Sequence, residues 1–401
     1  MKWGVEFRGR LELPSAFNFE EGLDERFYLN RVRLWAGVET TSWLRFYVQG
    51  QDARAPGFSD LTAMDSVVHH LDFRQAYADF GRDKGTWGLR MGRQELAFGD
   101  ERLMGADNDW DPLGQTFDAA RVSYQRTGLR LDAFGAFLVT PDRRSLASPS
   151  AGNQLYGLYA SFNRGPRGSV IEPYFFWKHD RHMGDAVGLA SACDVFTYGA
   201  RTAGNLPARL DYGVEMALQS GHKLGDSVQA WAGHWELGVR PFRADAGPRL
   251  GAEYNFASGD NNPADGRHTT FDDLYPAGYN KYGMSDPYAW RNLRNISCGV
   301  DWSLSQRWRL GASYRAFWLA SISDGLYTKG DSILTRNPGA SSSHVGNQAS
   351  MMIACDLSRS WQFRAGYARF FPGPYLTDSS YRGRFSTPYF LLNYTLSDGR
   401  R

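Results

Sequence analysis

The sequence predicts an all-β fold: a transmembrane antiparallel β-barrel of 18 strands, with short periplasmic turns and long extracellular loops. Three observations lead there. Segments of about ten residues alternate apolar and polar side chains again and again, as a tilted membrane strand must when one face meets lipid and the other a lumen. Connections between these segments alternate in length, and a soluble domain has no reason for that two-sided asymmetry. Finally, the 401 residues contain no run approaching the ~18 apolar residues of a membrane helix, yet aromatics make up 15% and glycines number 44, which suits interfacial girdles and tight turns. One barrel domain is expected over residues 1–401, its strands running from about 3 to 396.

The alternation is explicit in particular segments. From Arg31 to Val38, Val32, Leu34, Ala36 and Val38 share one face while Arg31 and Arg33 share the other, because successive strand side chains point to opposite sides. Leu129, Leu131, Ala133, Gly135 and Phe137 likewise oppose Arg130 and Asp132, and Leu310, Ala312, Tyr314, Ala316 and Trp318 oppose Arg309 and Arg315. Marking every such segment places strands at 3–13, 27–38, 43–51, 71–80, 87–98, 117–125, 129–139, 154–162, 170–178, 195–203, 210–219, 228–240, 249–257, 292–304, 308–319, 345–357, 361–371 and 388–396.

Connections after even-numbered strands are brief, from Glu39 to Ser42, Arg126 to Gly128, Ser305 to Arg307 and Ser358 to Ser360 among others. Those after odd-numbered strands are mostly long: Asp52 to His70, Gly99 to Gln115, Ser258 to Arg291 and Ala320 to His344. Ser220 to Ser227 is the short exception. An even strand number closes the sheet and leaves no unpaired edge in lipid. The loops Asp52 to His70 and Ser258 to Arg291 are long enough to fold over the mouth as lids. The opening MKWGVEFRGRL lacks an apolar core and a small-residue cleavage site, so it reads as the start of a mature exported chain without its signal peptide. The expected location is the bacterial outer membrane, surrounded by lipid and lipopolysaccharide.

Charge carries the functional signal. The net charge is only +2, and the aromatics occur at strand spacing without basic blocks between them, which argues against nucleic acid. Only six of the 45 basic residues are lysine, so 45 − 6 = 39 are arginine. On the polar face of the predicted strands stand Arg31, Arg33, Arg45, Arg74, Arg90, Arg121, Arg130, Arg201, Arg315 and Arg364, with Arg8, Arg10, Arg240, Arg249, Arg309 and Lys178. Eleven acids share that face, among them Glu6, Asp72, Asp132, Glu172, Asp211 and Glu253, leaving a lumen excess of 16 − 11 = +5. A guanidinium presents a permanent planar fork matched to carboxylates; alternatively, these arginines pair with the acids and stiffen the wall. The excess lies in the first seven strands, which makes one wall attractive to anions.

Other chemistry finds little support. Asp107, Asp109 and Asp111 have the opening spacing of a calcium loop, but Pro112 replaces the required glycine and no Glu closes it, so a solvated loop is the better reading, as are Asx-turns for Asp260, Asn262 and Asp265. Neither an HExxH nor a GxSxG motif occurs, and Cys193, Cys298 and Cys355 form no CxxC, so no metal site, cofactor or enzyme activity is expected.

Several motifs resemble the alginate-export family of outer-membrane porins: FYVQGQDAR (46–54), LDFRQAYADFG (71–81), GRQELAFGDERLMGADNDW (92–110), QTFDAARVSY (115–124), the segment 251–283, SSSHVGNQ (341–348) and AGYARFFPGPYL (365–376). The resemblance covers almost the whole chain. It implies an 18-stranded barrel with an arginine-lined constriction that passes an anionic uronate polymer, and it singles out Asp52, Arg54, Arg74, Arg90, Arg93 and Arg121. Arg93 shares the parity of Leu89 and Met91, hence the lipid face unless the strand bulges or leaves the membrane there. The expected activity is passive export or diffusion of an anionic polysaccharide such as alginate, or a small carboxylate. The rivals are a general anion-preferring porin and a loop-sealed structural barrel that anchors a periplasmic or surface partner.

Overall fold

In the computed structural model, which describes residues 1–57, 67–81, 86–106, 109–143, 145–163, 165–181, 193–242, 247–278, 281–284, 288–328 and 332–398, the chain forms a closed antiparallel barrel of 18 strands. These are β1 (Lys2–Glu12), β2 (Phe27–Thr41), β3 (Leu44–Arg54), β4 (His69–Gly81), β5 (Trp87–Gln94), β6 (Phe117–Arg126), β7 (Leu129–Asp142), β8 (Ser145–Phe162), β9 (Val170–Asp180), β10 (Cys193–Asn205), β11 (Leu210–Lys223), β12 (Asp226–Val239), β13 (Arg249–Ala257), β14 (Leu293–Ser303), β15 (Trp308–Leu319), β16 (His344–Asp356), β17 (Trp361–Pro372) and β18 (Ser386–Ser397). Each pairs with its sequence neighbours, and β1 closes the ring on β18 from Gly4–Ser397 to Glu12–Tyr389. The wall thereby closes without a free sheet edge, as the hydrocarbon requires.

The period-2 pattern sorts side chains as the sequence demands. Arg31 and Arg33 are 3% and 5% exposed while Leu34 is 57% exposed; Met91, Leu158 and Ile296 also stand on the outer surface. Near the periplasmic turns, outward aromatics pair across strands, with the rings of Trp87 and Tyr124 4.7 Å apart and those of Trp361 and Tyr394 also 4.7 Å apart. That is the interfacial girdle of a membrane barrel.

Three strands differ from expectation by four residues or more, of which the eleventh, expected over 210–219, runs on to Lys223. The fifth was expected over 87–98 but stops at Gln94: the following residues leave the wall and turn inward. The eighth was expected from 154 but begins at Ser145, because 145–149 pair back onto Val139–Asp142 and extend the β7–β8 hairpin beyond the alternating segment. β4 also carries an extra residue. Gln49 faces Gln75 but Gly50 faces Phe73, so Arg74 bulges, and both Arg74 and Gln75 reach Glu95 on the lumen side.

The loops reorganise the interior. The described residues of 95–116, between β5 and β6, and of 269–292, between β13 and β14, descend into the barrel, while Arg267 and His268 pair with Ser227 and Val228 at the loop end of β12, so the second loop is mainly an inward partition and not the lid expected over the mouth. Of the other expected lid, residues 58–66 lie outside the described residues. Leu96, Phe98, Leu103 and Met104 of the first loop and Phe271, Tyr275, Tyr282 and Trp290 of the second join wall residues such as Phe134, Phe176 and Phe317 in one buried apolar cluster. Burying a side chain of this size contributes about 1.5–3 kcal/mol. The core of this protein therefore lies inside the barrel, toward its loop end.

Candidate functional site

The lumen is built from two loops and a charged wall. The described residues of 95–116 lie outside the strand ladder of the wall, and their buried carbonyls need donors. The wall of β1, β2 and β4 supplies guanidiniums: Arg8 donates to the carbonyls of Asp109 (2.8 Å) and Asp111 (2.9 Å), Arg10 to Trp110 (2.5 Å), Arg31 to Asp111 (3.2 Å), and Arg74 to Leu113 and Ala106. Arg10 also stacks over the Trp110 ring at 3.6 Å. Arg33 acts at one remove, donating to Gln51 (2.6 Å), whose amide donates to Leu113. Hydrogen bonds from an ionised donor are roughly twice as strong as neutral ones, so this wall grips the loop firmly.

The loop then crosses the lumen. Arg102 reaches the opposite wall, 3.0 Å from Glu253 and in contact with His234 and Asn255. The two inward loops are joined by backbone bonds from Gly105 to Tyr275, from Tyr275 to Leu103 and from Ala277 to Glu101, each 2.9 Å. The second loop is fastened by a buried ionic quartet in which Asp272 bridges Lys178 and Arg291 (2.8 Å each) and Arg291 also binds Asp273 (2.6 Å).

Below this partition the charges follow another pattern, in which a single carboxylate is shared by two arginines of its own or nearby strands. Asp79 accepts from Arg45 (3.0 Å) and Arg90 (2.6 Å); Asp132 meets Arg121 (2.8 Å) and Arg130 (2.7 Å); Asp211 meets Arg240 (2.9 Å) and Arg249 (2.5 Å). Each of the first two trios keeps one net positive charge, whereas Arg249 is further offset by Glu236 at 2.6 Å. The side chains of Arg45 and Arg130 are 36% and 44% exposed, so water and solutes reach them. Arg201–Glu172 (2.5 Å) stands as a single pair, while Glu253, already bound by Arg102 of the first loop, also takes Arg315 (3.2 Å).

A family model described as alginate export matches residues 1–384 of this chain. The chain belongs to the alginate-export family of outer-membrane porins. No match to a curated protein was found. Among solved structures, Pseudomonas aeruginosa OccK11 (OpdR) is similar at 13% identity and TM-score 0.64, covering 99% of this chain and 96% of its own. OccD3 (OpdP) of the same organism matches at 10% and 0.65, with 99% and 92% covered, and OpdK with vanillate at 12% and 0.64, with 99% and 98% covered. These likenesses concern the barrel fold.

In this alginate-export porin the arginines singled out from the sequence divide into three groups. Arg31, Arg33 and Arg74 hold the first inward loop, directly or through Gln51. Arg45, Arg90, Arg121, Arg130, Arg201 and Arg315 stand in the pairs and trios, and Arg364 binds the Asp109 carboxylate at 2.8 Å. Asp52 and Arg54, paired at 2.9 Å, lie at the loop end of β3. Arg93 remains on the face of Met91 and binds Asp118 (2.9 Å) and the carbonyl of Ala147 (3.0 Å), which clasps the β7–β8 hairpin to the wall. Asp111 accepts from the amides of Leu113 and Gly114, and Asp260, Asn262 and Asp265 each accept from a backbone amide two residues on; Asp107 lies outside the described residues.

Sequence reasoning did not find Arg102, Glu95, or the quartet of Lys178, Asp272, Asp273 and Arg291. One signal was available: a loop to be solvated has little use for Leu96, Phe98, Leu103, Met104 and Leu113.

The second loop also contains a pH-sensitive contact. Burial, helped by the Lys223 ammonium, pushes His268 down to about 4, against about 6.5 when unfolded. Between these values the undocked state binds the extra proton, so docking is complete above about pH 6.5 and weakens as pH falls toward about 4. The amides of Ser227 and Phe271, bonded to Gly266 and Ser258, should lose hydrogen-exchange protection across that window. Unchanged protection factors would refute the assignment.

Proposed function

We propose that this porin passes an anionic, carboxylate-bearing solute passively, either an acidic polysaccharide such as alginate or a related small carboxylate. The observation that carries the reading is the sharing of Asp79 and Asp132 by two arginines each. Such trios present weak, repeated sites: each keeps a net positive charge, yet the resident carboxylate limits how tightly a passing anion is held, as conduction requires. No bond is made or broken, so no catalytic group is needed. That one structural neighbour was solved with vanillate, itself a carboxylate, agrees with this solute class.

The test is the reversal potential in a planar bilayer under a salt gradient. Arg90→Glu with Arg130→Glu should turn an anion preference into a cation preference. Among the described residues, the hydrogen bonds and ion pairs of these two side chains are to Asp79 and Asp132, so the inward loops stay in place. An unchanged permeability ratio would remove the arginine route.

A second reading, a loop-sealed barrel that anchors a partner, draws on the backbone pairing between the two inward loops. It requires negligible conductance even when those loops are removed.

A further inference from the structure

The periplasmic mouth holds a feature that the trios do not explain. A cavity of about 1210 Å³ opens there between β15 and β18, lined by Arg307, Arg309, Arg359 and Arg364 together with Asp356 and Asp398. Two of these arginines sit in turns of matching design. Ser305 accepts from the amides of Arg307 and Trp308, and Ser358 from those of Ser360 and Trp361, so each turn is fixed by its own serine. The Asp356 amide donates to the Arg307 carbonyl at 3.0 Å, which ties the two turns side by side. Arg307 and Arg359 are exposed, and neither guanidinium meets a carboxylate among the described residues.

The inner end of the cavity already accepts a carboxylate. Nη1 of Arg364 lies 2.9 and 2.8 Å from the two carboxylate oxygens of Asp109, a residue delivered from the first inward loop whose side chain is 60% exposed. Arg309 meanwhile holds Asp356 through two bonds, at 3.0 and 3.1 Å. From outside inward the cavity therefore presents two guanidiniums without acids, one paired within the wall, and one whose carboxylate partner comes from a loop and is open to exchange.

We propose that this cavity is a docking site for a chain of several carboxylates, where an oligouronate is held at the periplasmic mouth before it enters the lumen. Arg307 and Arg359 take successive carboxylates, and Arg364 takes a further one in place of Asp109. Repetition selects a polymer over a single acid, since each exposed guanidinium–carboxylate contact is weak alone and linked contacts multiply. The site rests on the anion-pore reading and gives it a direction.

The experiment is sided block of single-channel current by an oligomannuronate hexamer, with glucuronate and neutral maltohexaose as controls. For the unmodified protein, half-block from the periplasmic side should need about five- to tenfold less hexamer than from the loop side, the size expected of two or three weak contacts. Arg307→Ser with Arg359→Ser should abolish that difference and leave the anion-to-cation permeability ratio within about twofold, since the trios are untouched. Equal block from both sides of the unmodified protein, or sided block that survives in the double variant, overturns the docking site. Block by glucuronate at the hexamer's concentration overturns its selection of a chain. An unmodified protein without anion preference overturns the pore reading itself, and with it the site.

Discussion

Replacing residues 95–116 with a two-residue Asn-Gly turn should raise single-channel conductance by roughly three- to tenfold, because barrels of this strand number otherwise enclose an aqueous channel. The replacement is sterically feasible, since Gln94 and Phe117 are already partners on adjacent strands and a tight hairpin can join them. It removes the loop that crosses the lumen, and with it the carbonyl partners of Arg8, Arg10, Arg31 and Arg74. The anion preference should therefore grow along with the conductance, as guanidiniums that were solvating a backbone become available to solutes. Conductance that stays negligible would mean that the second loop seals the barrel alone.

Asp272→Ala should release the second loop. Removing one member of a buried ionic group leaves its partners uncompensated at a cost of about 3–5 kcal/mol, and here both Lys178 and Arg291 lose a contact of 2.8 Å. The wall is expected to survive, so the effect appears as protease cleavage within 258–292 and lost amide protection there, at an unchanged strand content. Acid will not imitate the substitution. Burial acts to raise the Asp272 carboxyl, but the Arg291 and Lys178 charges outweigh it and hold the group far below the usual carboxylate range. A depressed carboxylate contributes fully above its unfolded value and fails only as pH falls through its folded one; mild acid therefore acts through His268 and leaves the Asp272 bridges intact. Cleavage of the variant at the rate of the unmodified protein would show that the quartet does not hold the loop.

How much of this was legible in the sequence depended on the range of the forces involved. Strand parity is local: Arg31 and Arg33 face opposite to Leu34 because of pleat geometry alone, and the sequence reading placed them correctly. Strand ends are less local. Nothing near residues 95–98 announces that β5 stops at Gln94, since the reason lies with Arg74 on β4 and Arg8 on β1, which hold the departing loop. The inward course of 95–116 and 269–292 depends on contacts more than one hundred positions apart, such as Arg102 with Glu253. Counting charges on the lumen face could not separate arginines that hold a loop from those that face solvent. That difference is set by where the carbonyl oxygens of Asp109, Trp110 and Asp111 come to rest.

The unevenness of the wall has a mechanical side. Between β4 and β5 the ladder runs only from Ala76–Arg93 to Gly81–Gly88; above it, β4 is held by its bulge and by side-chain clasps, with Asp72 accepting from the Ala147 amide at 3.0 Å and Arg93 donating to the Phe73 carbonyl at 3.2 Å. Clasps of this kind open one at a time, whereas a long ladder yields only as a unit. The β4–β5 ladder is the shortest between neighbouring strands of the barrel, and the loop rooted at its edge is the same 95–116 segment that crosses the lumen, so the partition is anchored where the wall is least laced.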